Sequence, residues 1–380
     1  MTEPQPVFLL TGLPASLLAQ KLLGQLLVAH PTAQVKCLVA EPMLEKTQDV
    51  IRRLPEDVRA RVETVRGDVS AMDFGLSGRG FLALAKQIDV VHHCMCASHG
   101  GVGRDAERRA YVGSTGEVLE LALASQGRLS RLVHWGSALL SQPHNGRVTE
   151  TEWKRPQTFR SRSDDMRFRA EVLIRDAMNR VPITILRPSI IVGDSRTGEI
   201  DPLEGPYALF QLMLNTQLEL RVPVPGRGDQ PCHFVPMDYV VEAGLTIADD
   251  ARSAGKTFHL TDERPLSVRR VFELISGASE RPATAPRLPR NLAALILHAP
   301  GLERVSPVPR AFLELLATDV VYDARNAREL LAGTGIECPN VASYLKTVLA
   351  RVRRDQESRS KPRRARRHPH FEEMKDPLDS

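Results

Sequence analysis

The chain is predicted to be α/β: a doubly wound parallel sheet, a smaller helical C-terminal lobe and a disordered basic tail. Three observations predict it. Six short, apolar, strand-like runs alternate with helical segments through residue 186. The first run, Val7-Phe8-Leu9-Leu10, enters Thr11-Gly12 and then an apolar helix, a layout that sets a pyrophosphate on a helix N-terminus. Finally, Ser163 to Ile191 reads as a helix feeding a buried strand, half of a βαβ unit.

The elements follow in order. A continuous apolar run such as Val7 to Leu10 suits a strand buried on both faces. A helix is expected from about Leu17 to Ala29, then strands at Val35 to Val39, Val62 to Val65, Ile88 to Val91 and Leu132 to Trp135. Helices from about Arg104 and from Gly116 to Ser125 separate the fourth strand from the fifth. In the next helix Ser163 is the expected N-cap, and Asp164 and Asp165 suit the positive end of the dipole. Met166, Ala170, Leu173, Ile174 and Ala177 form its apolar face, Pro182 ends it, and Ile183 to Leu186 is the sixth strand.

Beyond Pro188 the pattern loosens. Residues 1–192, with 232–262 returning to them, are assigned to the sheet domain. Residues 193–231 and 263–350 are assigned to a lobe of short helices, near Tyr207 to Asn215, Val268 to Ser276, Leu292 to Leu297, Arg310 to Ala317 and Val341 to Val352. Residues 351–380 are the tail. It holds ten Lys or Arg and six Asp or Glu, so most of the chain's net charge of +5 sits there. A like-charge run with no interleaved aromatic suits a solvated spacer or a tether for a protein partner, and does not favour nucleic acid.

Composition sets further bounds. A hydrophobic content of 42% is ordinary for a globular protein, and no apolar run approaches membrane-spanning length. Five scattered cysteines and a start that enters a strand directly point to a reducing, cytoplasmic setting. His92-His93-Cys94-Met95-Cys96 with His99 invites a metal reading. Its strand-like spacing and the lack of a second cluster argue for no metal.

Five pieces in order carry a resemblance: Leu10-Thr11-Gly12, Gly67-Asp68-Val69, Asp89 to Cys94, Leu132 to Ala138 and Leu186 to Ser195. Together they resemble the extended short-chain dehydrogenase/reductase (SDR) family, a Rossmann fold. The nearer branch holds fatty acyl-CoA reductases and the thioester reductase domains of carboxylic acid reductases and peptide synthetases. The resemblance runs from about residue 6 to residue 350. It implies NAD(H) or NADP(H), an acyl thioester carried on CoA or a carrier protein, and a set of site positions.

At several of those positions the chain departs from the family. The phosphate loop TGxxGxxG keeps Thr11 and Gly12, but Ala15 and Leu18 replace the later glycines. Leu18 is expected to need room between helix and sheet. A loop kept for fold alone, with no dinucleotide, is the alternative. Glu41 after the second strand either accepts the ribose hydroxyls of NAD(H), its charge repelling a 2′-phosphate, or is a solvated loop acid. Asp68 and Val69 match the adenine position, with a cap as the alternative for Asp68. Cys94 matches the strand beside the cofactor, and Pro188-Ser189 the contact to the nicotinamide carboxamide. Asp201, Glu204, Gly205, Pro206 and Tyr207 resemble a loop near the acyl site.

The family's catalytic set is a Ser or Thr plus YxxxK, in which lysine and cofactor lower the tyrosine's pKa for proton transfer. Ser137 keeps the Ser/Thr position. The tyrosine position is Ser163, the lysine position is Arg167, and the family's relay asparagine is replaced by Tyr111. A serine hydroxyl is a far weaker acid than a phenol, and arginine keeps its proton. Two readings follow. In one the chain is a catalytically degenerate homologue with a binding, scaffolding or regulatory role. In the other it is an NAD(P)H-dependent reductase of an acyl thioester or aldehyde with a non-standard proton donor.

Overall fold

The computed structural model describes residues 5–94, 103–140, 145–153, 158–201, 205–214, 224–278 and 310–360. Its centre is a parallel sheet of seven strands in the order β10-β7-β5-β4-β1-β2-β3. These strands are β1 Val7–Leu10, β2 Gln34–Val39, β3 Val62–Arg66, β4 Val90–Cys94, β5 Arg131–Trp135, β7 Ile183–Pro188 and β10 Lys256–Leu260. The chain winds outward from β1 through β2 to β3, then crosses back to β4 on the other side. The crevice at the C-terminal ends of β1 and β4 is therefore the switch point, where such sheets bind ligands. The six expected strands are all in this sheet, and β10 adds the seventh.

Helices cover both faces. On one, α1 (Leu17–Ala29) packs against α9 (Met237–Asp249). Buried Ala19, Leu22, Leu23, Leu26 and Leu27 fall at helical spacing, so α1 lays one leucine-rich stripe on the sheet. Each fully buried leucine there contributes about 1.5–3 kcal/mol. On the other face, α4 (Gly78–Ala85), α6 (Ser114–Ala124) and α7 (Arg162–Ala177) share a core that includes Phe74, Phe81, Val118, Ile174 and Ile183. Residues 104–124 form one rod in which a π-helical turn at 109–113 joins α5 (Arg104–Arg108) to α6. Helices α2 (Leu44–Arg52) and α3 (Glu56–Arg59) link β2 to β3.

The C-terminal lobe packs α8 (Gly205–Leu214), α10 (Val268–Ala278), α11 (Arg310–Leu316) and α13 (Val341–Ser360) around Phe210, Phe234, Phe272 and Leu345. Two small parallel ladders join it to the sheet. One pairs β8 (Ile190–Ile191) with β9 (Phe234–Val235), the other β6 (Asn145–Val148) with β11 (Asp319–Tyr322). Helix α12 (Arg325–Leu331) follows β11 and packs on α9.

Two expectations on local structure change. The N-cap of α7 is Ser161, not Ser163, because its side chain is the one that accepts from Asp164 N, at 3.1 Å. Helix α13 runs to Ser360 instead of ending at Val352. Arg351 pairs with Asp355 at 3.1 Å, Arg353 donates to the Ala278 carbonyl, and Gln356 reaches the Gln211 carbonyl at 3.1 Å. The first ten residues assigned to the tail are thus helix packed on the lobe. The expected helix at Leu292 to Leu297 and the tail beyond residue 360 lie outside the described residues. No described helix is long and apolar enough to cross a membrane.

Glu150, at the turn after β6, holds this assembly together. Its buried carboxyl accepts from His259 N (2.9 Å) in β10, and from Asn326 N (2.5 Å) and Ala327 N (3.2 Å) at the start of α12. Burial pushes it up to about 7 from 4.5, against the pull of those three donors. A raised carboxyl binds its proton more tightly folded than unfolded, so its contribution is full below pH 4.5 and lost as pH rises through 7. Wild type is expected to lose about 3 kcal/mol across that window relative to Glu150→Gln. Denaturant melts of both proteins at several pH values check this, and parallel pH profiles would contradict it. Acid destabilisation from buried histidines is common to both proteins and cancels in the difference.

Candidate active site

A cavity of about 500 Å³ opens at the switch point, between the sheet's C-terminal edge and the lobe. The N-terminus of α1 forms one wall. Gly12, at φ +99°, is pressed so close to β4 that a Cβ there would lie 2.5 Å from the Cys94 carbonyl oxygen. Only glycine fits both constraints, which explains why this one survives. Ser16 caps α1 by accepting from Ala19 N at 3.2 Å. Among the described residues no group accepts from the N–H groups of Leu17 and Leu18. Both residues, with Ala15, line the cavity. Such orphan donors at the positive end of a 13-residue helix suit a diphosphate.

Leu18 is half-buried: it lines the cavity and also packs against the core beneath α1, in which its neighbour Ala19 is fully buried. It narrows the binding space. Ala15 likewise adds only a methyl group at the mouth.

Thr11, buried, holds the turn. It hydrogen-bonds His93 Nδ1 at 2.9 Å and accepts from Cys94 N at 3.2 Å. His93 Nε2 meets Thr115 at 3.2 Å, and Trp135 donates to His92 Nδ1 at 3.2 Å. Burial pushes both histidines down to about 3, so they are neutral packing groups of β4. Among the described residues no cluster could hold a metal, while Met95, Cys96 and His99 lie outside them. Cys94 lines the cavity floor.

Opposite α1, Pro188 and Ser189 close the wall. Ser189 N donates to the Leu260 carbonyl at 3.1 Å, and its buried Oγ has no partner among the described residues. A buried hydroxyl without a partner, at the position expected to face a carboxamide, fits a nicotinamide ring. The phosphate and ring positions therefore both suit a dinucleotide.

The adenosine positions lie outside the cavity. Asp68 Oδ1 accepts from Ser70 N (2.9 Å) and Ser70 Oγ (2.7 Å), so it caps its own turn. Val69 packs at the edge of the core under α4 and α6. Glu41 is exposed, and Arg66 at the end of β3 lies 3.8 Å from it. Sequence reading missed Arg66, whose only signal was its place at the end of the neighbouring strand.

Three of the positions that the family resemblance marks as catalytic meet at the cavity. Ser137, Ser163 and Arg167 all line the cavity. Ser137 Oγ accepts from Leu139 N at 3.2 Å. Arg167 donates to the Tyr111 hydroxyl at 3.3 Å and lies 5.3 Å from the centre of its ring. Tyr111, on the π-helical turn, is 2% exposed and is absent from the cavity wall. The replacements at the lysine and asparagine positions thus form one contact. Arg160 and Asp164, not foreseen, also line the cavity and pair with each other at 3.7 Å. Asp201 and Pro206 reach the cavity, Tyr207 is buried in the lobe core, and Glu204 lies outside the described residues.

Behind Ser137 lies a buried ion cluster. Glu171 is bound by Arg187 at 2.6 Å and by Arg175 at 3.0 Å, and both guanidiniums stack on Trp153, 4.6 and 4.5 Å from its ring centre.

The whole architecture has solved counterparts. The terminal R domain of the myxalamid PKS-NRPS pathway superposes with a TM-score of 0.77 at 24% identity, over 93% of this chain and 92% of that one. Glycine betaine reductase ATRR of Emericella nidulans is 26% identical over 222 residues, which is 57% of this chain and 17% of that protein. The hybrid PKS-NRPS synthetase pyvA of Aspergillus violaceofuscus is 25% identical over 307 residues, 70% of this chain and 8% of that one. The chain therefore spans a small part of the length of these curated relatives. The NAD-binding family described as male sterility protein matches residues 10–244, and the chain belongs to this NAD(P)(H)-binding, thioester-reductase-like branch of the extended SDR family.

Proposed function

We propose that this chain binds a dinucleotide and an acyl thioester in one cavity but has lost the proton relay, and so acts by binding, scaffolding or regulation. The carrying observation is that Ser163 and Arg167 occupy the relay helix on the cavity wall, with Arg167 held by Tyr111. A guanidinium there stabilises negative charge on a carbonyl oxygen but does not deliver a proton. Ser137 offers that oxygen one hydrogen bond. The dinucleotide, when bound, supplies hydride. The α1 N-terminus would hold its diphosphate, and Ser189 its carboxamide. Glu41 favours NAD(H), a preference that Arg66 beside it weakens.

The thioester reading is supported by the family's thioester-reductase-like branch and by relatives named as a reductase and a PKS-NRPS synthetase. Ligands on CoA and on a carrier protein both suit an open cavity of this size. Measuring NADH oxidation with saturating acyl-CoA tests the reading, and no rate above the protein-free background is expected. One feature favours a second reading, a slow reductase: Ser137 and Ser163 share the wall with Arg167 and could hold a water as proton donor. Turnover that Ser137→Ala removes would put that reading first.

A further inference from the structure

A second cavity, of about 390 Å³, lies apart from the first, on the far side of the start of α9. Met237 lines the first cavity and Tyr239 the second, so the first turn of α9 separates them. The second is walled by the loop after β10, by α12 and by the loop that follows α12. Its size falls within the range of small-ligand pockets.

Its charges are unequally settled. At the rim Arg328 and Glu263 neutralise each other at 2.6 Å, and both are exposed. Inside stands Asp262, only 5% exposed. Its Oδ1 accepts from Arg264 N at 2.8 Å, while Oδ2 has no partner among the described residues. Burial pushes this carboxyl up from its usual range. A buried carboxylate with one bare oxygen is costly unless a donor reaches it. Ala327, Leu331 and Ile336 give the wall an apolar stretch; Tyr239, Arg264 and Glu337 also line it, and the charge of Arg264 draws the Asp262 carboxyl partly back down.

We infer that this second cavity is a binding site for a small aliphatic cation, a primary amine or guanidine, whose charged head meets Asp262 Oδ2 and whose chain lies on α12. A charge-assisted hydrogen bond from such a head supplies the missing partner. The apolar wall takes the methylene stem, and a neutral alcohol of equal length forgoes the ionic contact. Nothing in the first cavity takes part, so this site and the dinucleotide site stand or fall separately.

Isothermal titration calorimetry of the full chain with n-butylamine and n-butylguanidine, and with n-butanol as the neutral control, tests it. Saturable one-to-one binding of the cations at about millimolar concentration is expected, with butanol at least about tenfold weaker. Asp262→Asn keeps an acceptor for Arg264 N and removes the charge. It should fold as well as wild type, by melting temperature, and bind the cations at least about tenfold more weakly. Absence of binding at about 100-fold higher cation concentration would overturn the assignment. Butanol binding as tightly as the amine, or an unchanged affinity in a folded Asp262→Asn variant, would overturn it as well.

Discussion

Ser163→Tyr combined with Arg167→Lys is expected to bring acyl-thioester reduction to about 100-fold or more above the protein-free background, the usual contribution of a positioned general acid. Ser163 and Arg167 lie one helical turn apart on α7 and both line the cavity, so the new phenol and ammonium would share the face that already meets the ligand. The lysine would lower the phenol's pKa by proximity, as an immobile guanidinium bonded to Tyr111 cannot. Adding Tyr111→Asn frees the new lysine from a buried ring and should increase the gain. NADH oxidation with saturating acyl-CoA reads the effect. No gain, in a variant that binds dinucleotide as wild type does, would show that something other than the relay limits the chemistry.

Glu171→Ala is expected to cost about 3–5 kcal/mol of stability. The carboxylate is fully buried and pairs with two guanidiniums, Arg187 and Arg175, both stacked on Trp153. Its removal leaves two cations side by side in the interior, with Arg187 unable to reach water. A fall in melting temperature of roughly 5 °C should follow. The double variant Glu171→Leu with Arg187→Met should recover most of the loss, because an apolar pair of similar volume avoids the desolvation of both charges. A single variant within about 1 kcal/mol of wild type would mean that solvent reaches the cluster.

Much of the frame was legible because it is written locally. The bounds of α1 follow from a leucine stripe between Ser16 and His30, and strands such as β1 and β7 are short apolar runs. The missed elements are those stabilised by distant partners. β6, Asn145-Gly146-Arg147-Val148, has no strand pattern of its own and forms only against residues 319–322. Ser161-Arg162-Ser163 left two serines able to cap α7, and only the backbone's path selects Ser161.

The site divides the same way. Ser137, Ser163, Arg167, Pro188 and Ser189 were placed by motif, and the structure brings them to one cavity. Motif alone could not show that Tyr111 and Arg167, each read separately as a loss, touch across 56 residues. Nor could it show that Leu18 lines the cavity while also packing on the core beneath α1. Asp262 lay outside every motif, and only its burial beside a second cavity draws it out.

The central claim is that the α1 N-terminus still holds a dinucleotide although two glycines are gone. Nicotinamide fluorescence, followed while wild type and Ala15→Asp are titrated with NADH and with NADPH, tests it most directly. Saturable binding by wild type is expected at about micromolar concentration, tighter for NADH. The variant, whose carboxylate faces the diphosphate, should bind at least about tenfold more weakly. No binding by wild type at about millimolar cofactor, or equal binding by the two proteins, would contradict the claim.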